Sequence, residues 1–373
     1  MIATELRKVP FFNYPALFAE HDREYLDTFE DVLRRGAYIM QADLAQFEEE
    51  LAAHLGCRHA IGVADGTAAL IFALRASGIE PGDEVIVSSH TFVATAAAVH
   101  HVGATPVIAD CLPDSMMDPE SARRLITSKT RALMPTQLNG RTCDMDALVA
   151  LANEHGLKIV EDSCQAMGAR YRGTPAGLFG QAGSYSFYPA KTLGCFGDGG
   201  AVVTDSDEAA AYIRTLRDHG RGADGKVRTF GHNGRLDNIQ AAILRLKLRR
   251  YDESIGRRRA IAAHYQARLG DLDTVLLPPA PDSDTIRFDI FQNYEIQADR
   301  RDELRQHLAD KGVGTIVQWG GWMLHQFDDL GLRSDAPYAE AMSKRYMMLP
   351  MHHMLSDDDV DYVCDQLIAF YRR

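Results

Sequence analysis

Residues 59–89 read HAIGVADGTAALIFALRASGIEPGDEVIVSS. Two short apolar runs, HAIGV and EVIVSS, enclose TAALIFALRAS, whose apolar residues fit a helix, so the stretch reads as strand, helix, strand. The rhythm continues through the strand-like TPVIAD, RALMPT and LKIVED, the helical FVATAAAVHHV, PESARRLI and DMDALVALANEHG, and then the strand-like GSYSFYP and GGAVVTD. Alternation of this kind predicts an α/β fold: a mostly parallel seven-stranded sheet flanked by helices on both faces.

Outside this block the pattern changes. Upstream, REYLDTFEDVLRR and ADLAQFEEELAAHL carry helical apolar spacing, stopped by Gly36 and Gly56. Downstream, a single long helical stretch is expected from Leu236 to about Leu269, with Ile239, Ile243, Leu246 and Tyr251 on shared faces. It leads to RFDIFQNYEIQ, read as a strand, the helix RRDELRQHLADKG and the terminal helix SDDDVDYVCDQLIAFYRR, which suggest a small α+β domain. The expected division is a large domain over residues 1–250 and a small one over 251–373, with no internal repeat.

The chain of 373 residues carries a net charge of −12, against binding to a nucleic-acid backbone, though a local basic pocket for a phosphorylated substrate remains compatible. MIATELRKVPFF lacks the apolar core of a secretory signal, and the most apolar stretch, residues 92–109, is broken by His100, His101 and Pro106. A cytoplasmic protein without membrane contact is expected. Cys57, Cys111, Cys143, Cys164, Cys195 and Cys364 show no close spacing and read as reduced structural thiols, with no metal site.

GRGADG at residues 220–225 matches GxGxxG, but it follows a helical pattern and precedes the charged run KVRT. A dinucleotide fingerprint follows a strand and opens a helix, so this is a mobile loop. GxxxxGK[ST], HExxH and GxSxG are absent from the sequence, which removes the usual support for phosphoryl transfer, zinc hydrolysis and α/β-hydrolase chemistry.

Chemistry gathers elsewhere. Lys191 lies among apolar residues and glycines in GSYSFYPAKTLGCFGDGG, and Asp162 ends the strand LKIVED, where open α/β sheets bind ligands. Such a pair points to a Schiff-base cofactor, pyridoxal 5'-phosphate, with the carboxylate keeping the pyridine nitrogen protonated. Asp162 read as a helix cap or turn residue is the plain alternative. Gly66, Thr67 and Ala68 sit between strand and helix, where free N–H groups and the helix dipole suit a phosphate, and Ser186 lies five positions before Lys191. Gln165 suits the ring's phenolic oxygen, or is simply a polar loop residue.

With these residues assembled, the chain resembles the DegT-type nucleotide-sugar aminotransferases, which have the aspartate aminotransferase-like fold of enzymes using this cofactor. DGTAAL, PGDEVIVSSHTFVAT, VEDSCQAMGA, SYSFYPAKTLGCFGDGGAVVT, RDHGR, GHNGRLDNIQAAIL and LPMHHMLS carry the resemblance, in order and nearly end to end. It implies Lys191 as the amine that holds the cofactor and Asp162 as the partner of the ring nitrogen. It also implies Phe92 stacking on the ring, Thr67, Ala68 and Ser186 around the phosphate, Gln165 near the ring oxygen, and Asn233 at the cofactor phosphate of a neighbouring subunit. A homodimer with shared sites follows from that last role. Relatives with His in place of this Lys dehydrate the sugar, and Lys191 speaks against that branch. Asn139 stands where an aromatic is commoner, and VQWGGWMLHQF replaces the Tyr-Pro pattern usual before the substrate-side His.

The implied reaction moves an amino group from an amino acid, L-glutamate by expectation, to C3 or C4 of a nucleoside-diphosphate keto-deoxy-hexose, in amino-sugar biosynthesis such as that of lipopolysaccharide O-antigen. Tyr185, His219, Arg221, Trp319 and His325 are the candidate substrate contacts, while the pairs His100-His101 and His352-His353 read as packing or surface residues. A lyase or dehydratase using the same cofactor, and a cofactor-binding regulator without turnover, are the alternatives.

Overall fold

The computed structural model describes residues 7–332 and 334–372. Its central sheet has seven strands in the spatial order His59–Val63, Gly200–Thr204, Ala182–Ser186, Lys158–Asp162, Thr130–Met134, Glu84–Ser88 and Thr105–Ala109. Six run parallel and Gly200–Thr204 alone is reversed, pairing antiparallel on both sides. Outside the edge strand Thr105–Ala109, nearly every position of these strands is buried, as a sheet covered on both faces requires. The expected α/β architecture is present.

Local sequence explains the helices. Asp22–Arg35 and Ala42–Leu55 stop at Gly36 and Gly56, whose φ values of 62° and 73° lie in the left-handed region where a side chain is disfavoured. Gly66–Ala76 begins at Asp65, whose Oδ1 accepts from Ala68 N–H at 2.8 Å. The single helix expected over 236–269 is instead two, Asn238–Leu248 and Tyr251–Leu269. Arg250 breaks the run with φ −111° and ψ 10°, and Tyr251 is buried there with its hydroxyl donating to Met167 O at 2.5 Å. The periodic apolar pattern spans the break because Leu244, Leu248, Tyr251 and Ile255 all face one core.

RFDIFQNYEIQ is likewise two strands. Arg287–Phe288 pairs with Arg170–Tyr171, whereas Tyr294–Ala298 pairs with Tyr346–Leu349 in a separate three-stranded sheet. Between them Phe291 takes φ 52°, which turns the chain from one sheet to the other. The second sheet packs with Tyr251–Leu269, Arg301–Asp310 and Asp357–Tyr371 around Tyr265, Tyr294, Ile296, Leu304 and Val363, and Val9 from the N-terminal segment enters that same cluster. GRGADG lies in a backbone-paired turn, with His219 N–H bonded to His232 O at 2.9 Å and Gly222 N–H to Lys226 O at 2.9 Å. No helix among the described residues is long and apolar enough to cross a membrane.

One buried histidine gives this fold a pH signature. His352 lines the junction with the N-terminal segment, 3.3 Å from Pro10 O, and burial pushes its imidazole down to about 4. The unfolded chain therefore binds more protons between about 6.5 and 4. The stability His352 contributes is complete above that window and is lost as pH falls through it, by up to about 3 kcal/mol. Urea unfolding at pH 7.5 and 4.5 should show a smaller acid loss in His352→Gln than in the wild type; equal losses would assign the effect elsewhere.

Candidate active site

Parallel strands end at one edge of the sheet, and the chemistry collects there. Asp162 is the last residue of Lys158–Asp162, and strand alternation aims it and Glu161 to opposite sides. Glu161 is enclosed in the core, accepting from Gly177 N–H, Phe179 N–H and Gln137 Nε2; burial raises its pKa. Asp162 instead lines a cavity of about 640 Å³, shared with Gly66, Thr67, Phe92, Gln165, Ser186 and Lys191.

A chain of hydroxyls fixes the Asp162 carboxylate. Thr95 Oγ1 donates to Asp162 Oδ2 at 2.6 Å, and Cys164 N–H reaches Oδ1 at 3.2 Å. Because the ionised carboxylate only accepts, the Thr95 proton is committed to it, so Thr91 donates to Thr95 at 2.7 Å and Thr136 to Thr91 at 3.0 Å. Sequence reading misses Thr91 and Thr95, although their i,i+4 spacing in TFVAT places them on one side of the helix start.

Lys191 follows the strand Ala182–Ser186 on an irregular turn, its N–H donating to Tyr188 O at 2.8 Å. Burial lowers the pKa of its ammonium, and the neighbouring Cys164 and Asp162 only partly restore it. The same loss of water pushes the Lys247 ammonium down to about 8, but Lys247 donates to Gly194 O at 2.6 Å, lies 4.2 Å from the Phe196 ring centroid and does not line this cavity. Geometry, rather than acidity, singles out Lys191.

The remaining wall is suited to a phosphate-bearing ring. A Cβ on Gly66 would stand 2.8 Å from Ser186 Cβ, so only glycine allows the helix start to approach the strand end this closely. The first-turn N–H groups of Gly66 and Thr67 have no intrahelical acceptor, whereas Ala68 N–H is already bonded to Asp65. Phe92 is half exposed at the mouth, with the Trp319 ring 6.1 Å away. Gln165 Oε1 accepts from Asn139 N–H at 3.0 Å and Asn293 Nδ2 at 3.1 Å, and its Nε2 donates one hydrogen to Gln318 Oε1 at 3.4 Å, which leaves the second amide N–H able to donate. Asn139, the residue standing in place of an aromatic, also accepts from Asn293 and Gln318, each at 2.8 Å. Nothing local in the sequence announces Asn293 or Gln318, which arrive from across the fold.

The candidate substrate residues divide. Trp319 lines the cavity, at φ 52°. Tyr185 does not: alternation along Ala182–Ser186 turns it into the core, where its hydroxyl donates to Ala176 O, and Tyr188 lines the cavity instead. His325 stands away from the cavity, its Nε2 3.4 Å from Glu340 Oε2. His219, Arg221 and Asn233 are exposed around the paired turn, also outside this chain's own cavity.

A half-buried lysine and a fixed carboxylate facing one cavity beside a helix start fit the class of lysine-anchored cofactor enzymes. The sequence pattern of the DegT/DnrJ/EryC1/StrS aminotransferase family matches residues 19–368, and the chain belongs to that family. It is 45% identical over 317 residues to the dTDP-3-amino-3,4,6-trideoxy-alpha-D-glucose transaminase of Streptomyces venezuelae, covering 84% of this chain and 83% of that protein. The solved structure of S. venezuelae DesV in complex with a ketimine intermediate superposes with a TM-score of 0.94 at 40% identity, covering 98% of this chain and 99% of DesV. NtdA from Bacillus subtilis, solved with bound cofactor PMP, superposes with a TM-score of 0.91 at 28% identity, covering 100% of this chain and 87% of that one.

Proposed function

We propose that this chain is a pyridoxal 5'-phosphate-dependent aminotransferase that transfers the amino group of an amino acid, L-glutamate in the first instance, to a keto carbon of a nucleoside-diphosphate keto-deoxy-hexose. The carrying observation is that Lys191 and Asp162 enter one cavity from two different strand ends, beside the unpaired N–H groups of Gly66 and Thr67. The transaminase activity named for the Streptomyces relative supports carbon 3 and a dTDP nucleotide as the first substrate to try.

When bound, the cofactor supplies an aldehyde for amine condensation and a cationic ring that accepts electrons. The chain supplies the rest. In this reading Lys191 Nζ holds the cofactor and, once released, carries the proton, a role suited to an amine whose burial favours the neutral form. Asp162, held by Thr95, would take the ring nitrogen; Gly66, Thr67 and Ser186 would take the phosphate; Gln165 would donate its second amide N–H toward the ring oxygen. Phe92 and Trp319 cover the mouth and limit water, and Tyr188 joins them along the sugar's path.

The proposal includes a division at residue 250 and a homodimer whose Asn233, with His219 and Arg221, serves the partner's cavity. Their position outside their own cavity supports it, as do the 94% exposure of Phe230 and the exposed Leu26, Leu33, Tyr38, Ile39 and Met40. Mixing Lys191→Ala with Asn233→Ala subunits should then restore part of the activity that each variant lacks alone; no restoration would contradict shared sites.

Incubation with the cofactor, glutamate and a panel of 3-keto and 4-keto sugar nucleotides, followed by NMR, tests the reaction. An amino sugar forming in step with 2-oxoglutarate is expected. A dehydrated sugar without 2-oxoglutarate would overturn it. Thr95→Val, which removes the hydroxyl on Asp162 at nearly constant volume, should cost about 1–2 kcal/mol of stability in urea and lower kcat roughly tenfold; unchanged kcat would detach the hydroxyl chain from the chemistry.

A further inference from the structure

Lys191 lies on a turn without strand or helix pairing, yet its two chain neighbours are held by one side chain from the irregular segment at 290–293. Gln292 Oε1 accepts from both the N–H and the hydroxyl of Thr192, each at 2.6 Å, while Gln292 Nε2 donates to Ala190 O at 2.8 Å. Donor and acceptor needs on the two sides fix the amide in one orientation. Gln292 is buried, and its own backbone is anchored: buried Arg258 donates through Nη1 to Phe291 O at 3.2 Å, to Gln292 O at 3.0 Å and to Met351 O at 3.0 Å. Three bonds therefore bracket the lysine, and a buried cation anchors the bracket.

We propose that Gln292 is a positioning residue that holds the turn of residues 190–192 so that Lys191 Nζ stays directed into the cavity. This rests on the reading of Lys191 as the reacting amine. The physical reason is that a side chain with four rotatable bonds delivers its amine reliably only if its own backbone is immobile, and misplacement by about 1 Å can cost on the order of 100-fold in rate. No strand bond does that work here, since strand Ala182–Ser186 has ended and Gly200–Thr204 has not begun.

The test compares Gln292→Leu, which removes both ends of the amide, with Gln292→Asn, which keeps a neutral amide one methylene short, so that it serves Thr192 or Ala190 O but not both. In the protein without cofactor, amide exchange at Thr192 should quicken about tenfold in Gln292→Leu while strand Ala182–Ser186 stays protected. With cofactor, kcat should fall about tenfold while KM for the amino donor stays within about twofold, and the absorbance of the Lys191-bound cofactor should titrate at a different pH. Gln292→Asn should fall between the wild type and the leucine variant on both readouts, and it carries the comparison alone if the leucine variant fails to fold. Equality with the wild type in exchange and kcat overturns the proposal, as does faster exchange with unchanged kcat, because the bonds would then be structural only. A wild type that takes up no cofactor on Lys191 sinks the reading of the site instead, and leaves the exchange result standing.

Discussion

Replacing Lys191 with alanine is expected to abolish turnover, with kcat reduced by roughly 10⁴-fold or more, because on the proposed reading one amine would both anchor the cofactor and move the proton. The variant should still fold. Burial lowers the pKa of the Lys191 ammonium, so the unfolded chain binds more protons than the folded one between the two values, and the folded state bears a penalty that eases only as pH rises through that interval. Removing the amine removes the penalty, so Lys191→Met without cofactor should melt no lower than the wild type at pH 7. A thermal scan of cofactor-free Lys191→Met and a glutamate half-reaction with Lys191→Ala check the two halves. Residual kcat within tenfold of the wild type would dismiss Lys191 from the chemistry.

Asp162→Asn is the second large effect. The side chain keeps its volume and still accepts from Thr95, so the fold should persist with a stability change of about 1–2 kcal/mol. What disappears is the negative charge that, on the proposed reading, would keep a ring nitrogen protonated and the ring able to accept electrons. A loss of about 10²–10⁴-fold in kcat is expected, on the scale of other preorganised charges in enclosed sites. The half-reaction with glutamate should fall as far as the full reaction. A variant impaired only with the sugar substrate would place Asp162 on the substrate instead.

These effects fall on residues that local pattern made visible. Asp162 stood out because a run of buried apolar residues ended in a carboxylate, and Lys191 because a cation lay among glycines and apolar residues. Both signals come from the mismatch between a residue and its neighbours in the chain. Tyr185 shows the limit of that approach: one step of strand alternation exchanges core for cavity, and Tyr188, beyond the strand end, lines the cavity in its place.

The helix break at Arg250 and the split of RFDIFQNYEIQ were hidden for a related reason. Apolar periodicity records which side is buried, and it continues through a turn when both parts face the same core. Gln292 and Asn293 are the farthest from sequence legibility. They reach Thr192 and Gln165 across 100 and 128 residues of chain, with partners set by where the chain crosses from one sheet to the other. Only the folded arrangement assigns them.

Borohydride reduction of the cofactor-loaded protein, followed by peptide mapping, tests the central claim most directly, since it writes the attachment point into a covalent bond. The account predicts a pyridoxyl group on Lys191 alone. Labelling of Lys247, the other lysine whose ammonium burial has lowered, or of no lysine at all, would contradict it.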